Sequence, residues 1–133
     1  MKQIIITFIF PILWFAAVAQ NDPIIKGNQY YLQGKIINEV ALTPHCGTIA
    51  WGTIVELEIQ QFSDSSYHRK KIGVIFTCPE FYKNNFFQVG KTYDIKVADK
   101  NPASFDWAIP NKKLLDKYNL KFNLWVIDAK KIE

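Results

Sequence analysis

Residues 48–62 read Thr48-Ile-Ala-Trp-Gly-Thr-Ile-Val-Glu-Leu-Glu-Ile-Gln-Gln-Phe62. Ile49, Trp51, Val55, Leu57 and Ile59 share one parity, while Glu56, Glu58 and Gln60 share the other. Successive side chains of a strand point to opposite faces, so this alternation predicts a β-strand with one face on a core and one in water. Fifteen residues is long for a strand. The interior glycine, Gly52, marks the expected bending point of a strongly curved one.

The same period extends outward on both sides. Upstream, Tyr30 to Val40 reads as a first strand, with Leu32, Gly34 and Ile36 on one face and a bulge or tight bend expected at Gly34. Downstream, Ser63-Asp64-Ser65-Ser66 is a turn, and Lys70 to Cys78 is a third strand with Ile72, Val74 and Phe76 inward. Pro79 stops it, and Glu80 to Val89 is an aromatic connection. A fourth strand, Lys91 to Ala98, turns Tyr93, Ile95 and Val97 inward, and Asn101-Pro102 ends that pattern. Leu114, Leu115 and Tyr118 fit one face of a short helix, with Asn111 as its candidate cap and Asn119 as its stop. Lys121 to Ile132 is a fifth strand, with Phe122, Leu124 and Val126 alternating against Asn123 and Trp125. Five strands with a helical insert between the fourth and fifth predict an all-β (minor α) domain: a five-stranded OB-like Greek-key barrel.

The chain has 133 residues, 49% hydrophobic and 15% aromatic, with only six glycines, which excludes disordered and collagen-like classes and suits one domain. Its first residues carry an address. After Lys2, Gln3 to Ala19 contain no charge, and Ala17-Val18-Ala19 closes the apolar stretch with the small-x-small pattern of signal-peptide cleavage. The reading is a signal peptide over 1–19, a polar tail over 20–29 and a barrel over 30–133. The competing reading, an uncleaved anchor, is opposed by Pro11 and by the absence of a stop-transfer flank. Without Lys2 the charge falls from +4 to about +3, fifteen basic residues against twelve acidic. The expected destination is the periplasm or the extracellular space, with no membrane span after cleavage.

Export decides how the two cysteines are read. In an oxidising compartment, Cys46 and Cys78 are expected to form one disulfide. The competing reading is a metal site using His45, Cys46, His68 and Cys78. It lacks any C-x-x-C or H-x-x-x-H spacing, and adjacent His45 and Cys46 could share a metal only in a distorted loop. No metal and no cofactor are assigned.

Gly34-Lys35-Ile36, His45-Cys46-Gly47 and the run Phe87-Gln88-Val89-Gly90-Lys91-Thr92-Tyr93 resemble secreted OB-fold modules of the netrin/TIMP-like type. The resemblance spans roughly residues 30–98. It implies an exported OB-like barrel. TIMP-like inhibitors chelate a protease zinc through an N-terminal cysteine, whereas the expected terminus here is Gln20 and no cysteine precedes Cys46. Inhibition by that route is not implied.

No G-x-S-x-G, H-E-x-x-H or phosphate loop is present, so no catalytic residue is assigned. Glu56 and Glu58 read as ion-pairing partners of Lys70 and Lys71 across strands two and three. The basic run Tyr67-His68-Arg69-Lys70-Lys71 reads as a solvated hairpin end. The small net charge and the exported destination argue against nucleic acid. Surplus aromatic residues in the connections either plug the barrel ends or form a recognition surface, with Tyr82, Phe105, Trp107 and His45 as the candidates. The expected function is a non-catalytic binding module for a protein or small molecule. The alternatives are an inhibitor or immunity protein for an exported enzyme, or a small hydrolase or metal-dependent enzyme centred on His45.

Overall fold

The computed structural model describes residues 26–132. The expected signal peptide, its expected cleavage point and the expected tail up to residue 25 lie outside the described residues. Five strands, β1 (Gln29–Ile36), β2 (Gly52–Phe62), β3 (Lys71–Thr77), β4 (Thr92–Ala98) and β5 (Trp125–Ile132), close into a ring in the order β1-β2-β3-β5-β4. All neighbours are antiparallel except β3 and β5, which meet in parallel at Ile75 and Trp125. The all-β barrel with a minor helical part is therefore present, and each of the five expected strands exists.

Within the strands the inward parities hold, whereas Ile49, ahead of β2, is half exposed. Leu32, Ile36, Val55, Leu57, Ile72, Val74, Phe76, Tyr93, Ile95, Val97, Leu124 and Val126 form the barrel interior. The bulge falls at Gly34, where the β1–β2 register shifts between Gln33 and Gly34. Both barrel ends are closed by rings. At one end Phe76, Tyr82, Phe86, Phe87 and Tyr93 pack at centroid distances of 4.6 to 5.5 Å, and the Tyr93 hydroxyl donates to the Phe86 carbonyl. At the other, Tyr30 packs on Phe62 and Phe122, and Tyr67 on Phe62.

Several boundaries differ from the sequence pattern. β2 has 11 residues and begins at Gly52 rather than bending there. The segment before it is held differently: Ala108 N donates to Ala50 O at 2.8 Å and Gly52 N to Ala108 O at 2.9 Å, giving an isolated parallel bridge. β1 stops at Ile36 rather than Val40, although Ile37 N still bonds Glu56 O on the β2 side at 3.1 Å. β5 starts at Trp125 rather than Lys121.

The wet face expected for β2 is the largest correction. Ile54 and Glu56, both outward, are buried, while Glu58 and Gln60 on the same face stay partly or fully exposed. The connection between β4 and β5 lies over Ile54 and Glu56 and contributes a 3₁₀ helix, Lys112–Tyr118. Ile54, Ile75, Leu115 and Trp125 make a second apolar cluster beneath it, supported by Trp107, Ile109, Leu114 and Leu120. Residues 105–118 thus cover the outer wall instead of plugging an end. Asn111 precedes the helix but makes no side-chain cap. Its amide bonds Ile54 N, Ile54 O and Thr53 Oγ1, standing in for a strand neighbour on β2. Asn119 ends the helix in the left-handed conformation, as expected.

Glu56 anchors this cover. It is 6% exposed, accepts from Tyr118 Oη at 2.5 Å and Asn38 Nδ2 at 2.6 Å, and pairs with Lys117 Nζ at 3.2 Å. Gly73 makes room for the ring: a Cβ there would lie 3.0 Å from Tyr118 Cδ2 and Cε2. The Lys70/Lys71 pairing expected for Glu56 is replaced by Lys117. Glu58 faces Lys71 in the register, and its close partner is Lys35 at 2.9 Å.

Burial alone would raise the Glu56 pKa, but the bonds from Tyr118, Asn38 and Lys117, with the Lys117 charge, hold it below the usual carboxylate value. Its contribution to stability is complete above the unfolded pKa of about 4.3 and is lost as pH falls through the lower folded value. Burial and the Glu56 partner raise the Tyr118 pKa, so that contribution is complete below about pH 10 and is lost only at higher pH. Tyr118→Phe is expected to lower the unfolding free energy by about 1.5–3 kcal/mol at neutral pH. It should also shallow the acid limb of stability between about pH 5 and pH 3. Urea unfolding across that range checks both; an unchanged acid limb counts against Glu56 as its source.

Candidate binding surface

The end of the barrel closed by Phe86 and Phe87 also carries the disulfide. Cys46 and Cys78 are bonded, with Cα atoms 5.7 Å apart, and join the β1–β2 connection to the exit of β3. Cys78 adopts the left-handed conformation at φ 43°, which turns the chain into the short 3₁₀ helix Pro79–Phe81. Its N–H donates to Trp51 O at 2.9 Å and its carbonyl accepts from Phe81 N at 3.0 Å. Both flanks of the bridge are thus held by backbone as well as by sulfur.

Glu80 sits against the bridge. Its Oε1 accepts from the Cys46 amide and lies 3.5 Å from His45 Nδ1. Glu80 Oε2 and Thr43 Oγ1 are buried without a hydrogen-bond partner, an unusual state for native polar atoms. Both residues line a cleft of about 360 Å³ together with Leu42, Pro79, Tyr82 and Phe86. Around it, Leu42 is 75% and Phe81 70% exposed, and Val89 stands half exposed near Leu42. His45, 76% exposed, rests edge-on against Phe81 at 5.7 Å.

The four candidate residues do not form one surface. His45 is at the rim of the disulfide end. Tyr82 lies beneath it as part of the aromatic plug, 5.3 Å from Phe76, and burial together with Asp128 raises its hydroxyl pKa. Phe105 and Trp107 pack at a tilt with centroids 5.0 Å apart on the outer wall, where Trp107 lines a polar cleft of about 530 Å³ with Asp99, Asp106, Asn123 and Trp125. Trp107 Nε1 is already bonded to Asn101 Oδ1 at 2.9 Å. Only Phe105 of that pair is strongly exposed.

Sequence reasoning missed Leu42, Glu80 and Phe81. The only local signal was a carboxylate two positions after Cys78, which means nothing until Cys46 is brought beside it. The metal set built on both histidines is not assembled. His68 lies in the β2–β3 connection at the opposite end of β3, and both sulfurs are committed to the disulfide. The basic run is partly used for structure, with Arg69 Nη1 donating to Lys117 O at 2.9 Å and Tyr67 Oη to Lys71 O at 2.7 Å. Among the described residues, His45 has no hydroxyl or thiol partner to activate, and no helix is long and apolar enough to cross a membrane.

No protein-family model matches the chain, and no curated protein or solved structure does.

The bridge closes a loop worth about 3–4 kcal/mol in the chain-entropy account. Non-reducing mass spectrometry of the native protein is expected to give a mass two hydrogens below the reduced form. Reduction should lower the midpoint of urea unfolding by a corresponding amount. Two free thiols in the native protein would contradict the pairing.

Proposed function

We propose that this chain is an exported, non-catalytic interaction module on an OB-like barrel, and that its disulfide end docks another protein. The observation that carries the reading is three exposed apolar side chains at the disulfide end: Leu42 on the wall of the Glu80 cleft, Val89 sharing a neighbouring cleft with Leu42, and Phe81 next to Glu80 in the chain. Exposed apolar side chains gathered over a rigid base, rimmed by charge, are characteristic of docking sites. The disulfide and the aromatic plug supply that base, so docking costs little ordering of the loops. The ring order, with its one parallel junction, supports the OB-like reading of the barrel, and the leader at 1–19 together with the disulfide supports export.

An inhibitor or immunity protein would use the same face, with an exported enzyme as the partner. The hydrolase reading has less support. His45 stands at the rim, 3.5 Å from Glu80, which is beyond the usual hydrogen-bond range of about 2.7–3.2 Å. The Phe105–Trp107 cleft offers a small polar molecule stacking and carboxylates, but Asn101 and Asp99 there are already spent on Trp107 and Asn28.

Photo-crosslinking from position 42 in the exported chain is expected to capture a discrete partner that a probe at exposed Lys121 does not. Leu42→Asp and Phe81→Asp should each weaken that association at least tenfold while leaving the unfolding midpoint unchanged. Equal capture from both positions, or unaltered affinity in both variants, rules out this face. The intact mass of the exported form should correspond to a chain beginning at Gln20, free or cyclised; a retained leader overturns the cleavage reading.

A further inference from the structure

Three metal-ligating side chains converge at the disulfide end, and a fourth, His45, stands at their rim. The sulfurs of Cys46 and Cys78 and a carboxylate oxygen of Glu80 all lie within 4.8 Å of one another. His45 Nδ1 is 3.5 Å from Glu80 Oε1. The carboxylate is asymmetric: Oε1 takes the Cys46 amide, and Oε2 is buried with nothing to bind. Residues 45–46 lie in a bent loop rather than a strand, so neighbouring His45 and Cys46 are not forced to opposite faces. This is the distorted loop that a shared metal would require.

We infer that, when the disulfide is opened to two thiols, this corner binds one Zn²⁺ through Cys46, Cys78, Glu80 and His45. Two thiolates, one imidazole and one carboxylate complete a tetrahedral set. Zinc–sulfur bonds of about 2.3 Å at tetrahedral angles place two sulfurs roughly 3.7 Å apart. Opening the bridge therefore asks for a short separation of the sulfurs and no large backbone movement. The backbone supports this. Cys78 N stays bonded to Trp51 O and Gly47 N to Ile49 O, neither of which depends on the sulfur bridge. The Cys46 amide on Oε1 would act as an outer support that aims the carboxylate. Exposed His45 needs only a side-chain rotation to join.

The chemistry balances. A dithiol reductant passes two electrons and two protons to the Cys46–Cys78 bond and becomes a disulfide itself. Each new thiol then releases its proton when its sulfur binds zinc. Oxidation reverses both steps and expels the ion. The corner is thus a disulfide in one redox state and a zinc site in the other. This holds whether or not the patch docks a protein, since metal uptake is read without a partner.

Zinc uptake by the exported chain, measured against a chromophoric chelator, tests it. Protein reduced with a phosphine that does not bind zinc is expected to take up one equivalent; oxidised protein takes up none. Glu80→Gln and His45→Ala should each weaken uptake at least tenfold, and Co²⁺ should give the intense visible bands of a tetrahedral thiolate site. Cys78→His cannot form the bridge, and histidine tolerates the left-handed backbone there better than most residues. It should bind zinc without a reductant. The inference is overturned if folded, reduced protein takes up no zinc, or if uptake is unaltered in both Glu80→Gln and His45→Ala. Should the reduced wild type lose its fold by circular dichroism, absence of uptake by folded Cys78→His overturns it equally.

Discussion

Closure of the ring depends on a parallel junction. β3 and β5 meet through Ile75 and Trp125, and parallel neighbours cannot be joined by a tight turn. The chain must travel back along the barrel before β5 begins, and β4 makes that return; residues 99–124 then leave and re-enter at one end, since Ala98 closes β4 opposite Trp125 at the start of β5. Once that long segment exists it has to bury its own apolar residues. It does so on the outer wall of β2 and β3, where Leu115 and Trp125 meet Ile54 and Ile75. The first part of the wall that alternation assigned to water is therefore dry, while Glu58 and Gln60 farther along β2 stay at least partly wet. The buried carboxylate, Glu56, is tolerated because Lys117 and Tyr118 of the cover and Asn38 all donate to it.

Legibility follows from this geometry. The interior was readable because a strand's parity is local: Leu32 with Ile36, or Tyr93 with Ile95 and Val97, announces one face within a few residues. Asn119 was readable for the same reason, since a left-handed helix end is a local backbone requirement. Glu56 was misread because what lies over it comes from Lys117 and Tyr118, about sixty residues later in the chain. Asn111 carried a correct position and a wrong role. A cap and a strand-edge surrogate use the same amide, and only the nearness of Ile54 distinguishes them.

The candidate site divides along the same line. The pairing of Cys46 with Cys78 follows from count and compartment alone. Which side chains surround the bridge is decided by the turn at Cys78, whose left-handed backbone swings Pro79-Glu80-Phe81 across the mouth of the barrel. That turn puts Glu80 on the Cys46 amide and Phe81 against His45, contacts between residues 34 and 36 apart in sequence. The aromatic surplus gave a true signal with the wrong assignment. Tyr82 went into the plug and Trp107 into the wall, while the aliphatic Leu42 and Val89 stayed outside.

Rigidity at the disulfide end has a physical origin that bears on what the end can do. Loops joining antiparallel strands are usually the mobile part of a small barrel. Here the β1–β2 and β3–β4 connections are tied to each other by sulfur, by Glu80 and by the backbone bond from Cys78 to Trp51, and are floored by Phe86 and Phe87 on Tyr93. A patch on such a base keeps its shape without a partner, so association need not order it first. The same ties leave Glu80 Oε2 and Thr43 Oγ1 buried and unpartnered, a local cost that the rest of the corner is stiff enough to carry. Stiffness and unmet polarity arise from one arrangement, and the chemistry of this end of the barrel follows from holding both in place.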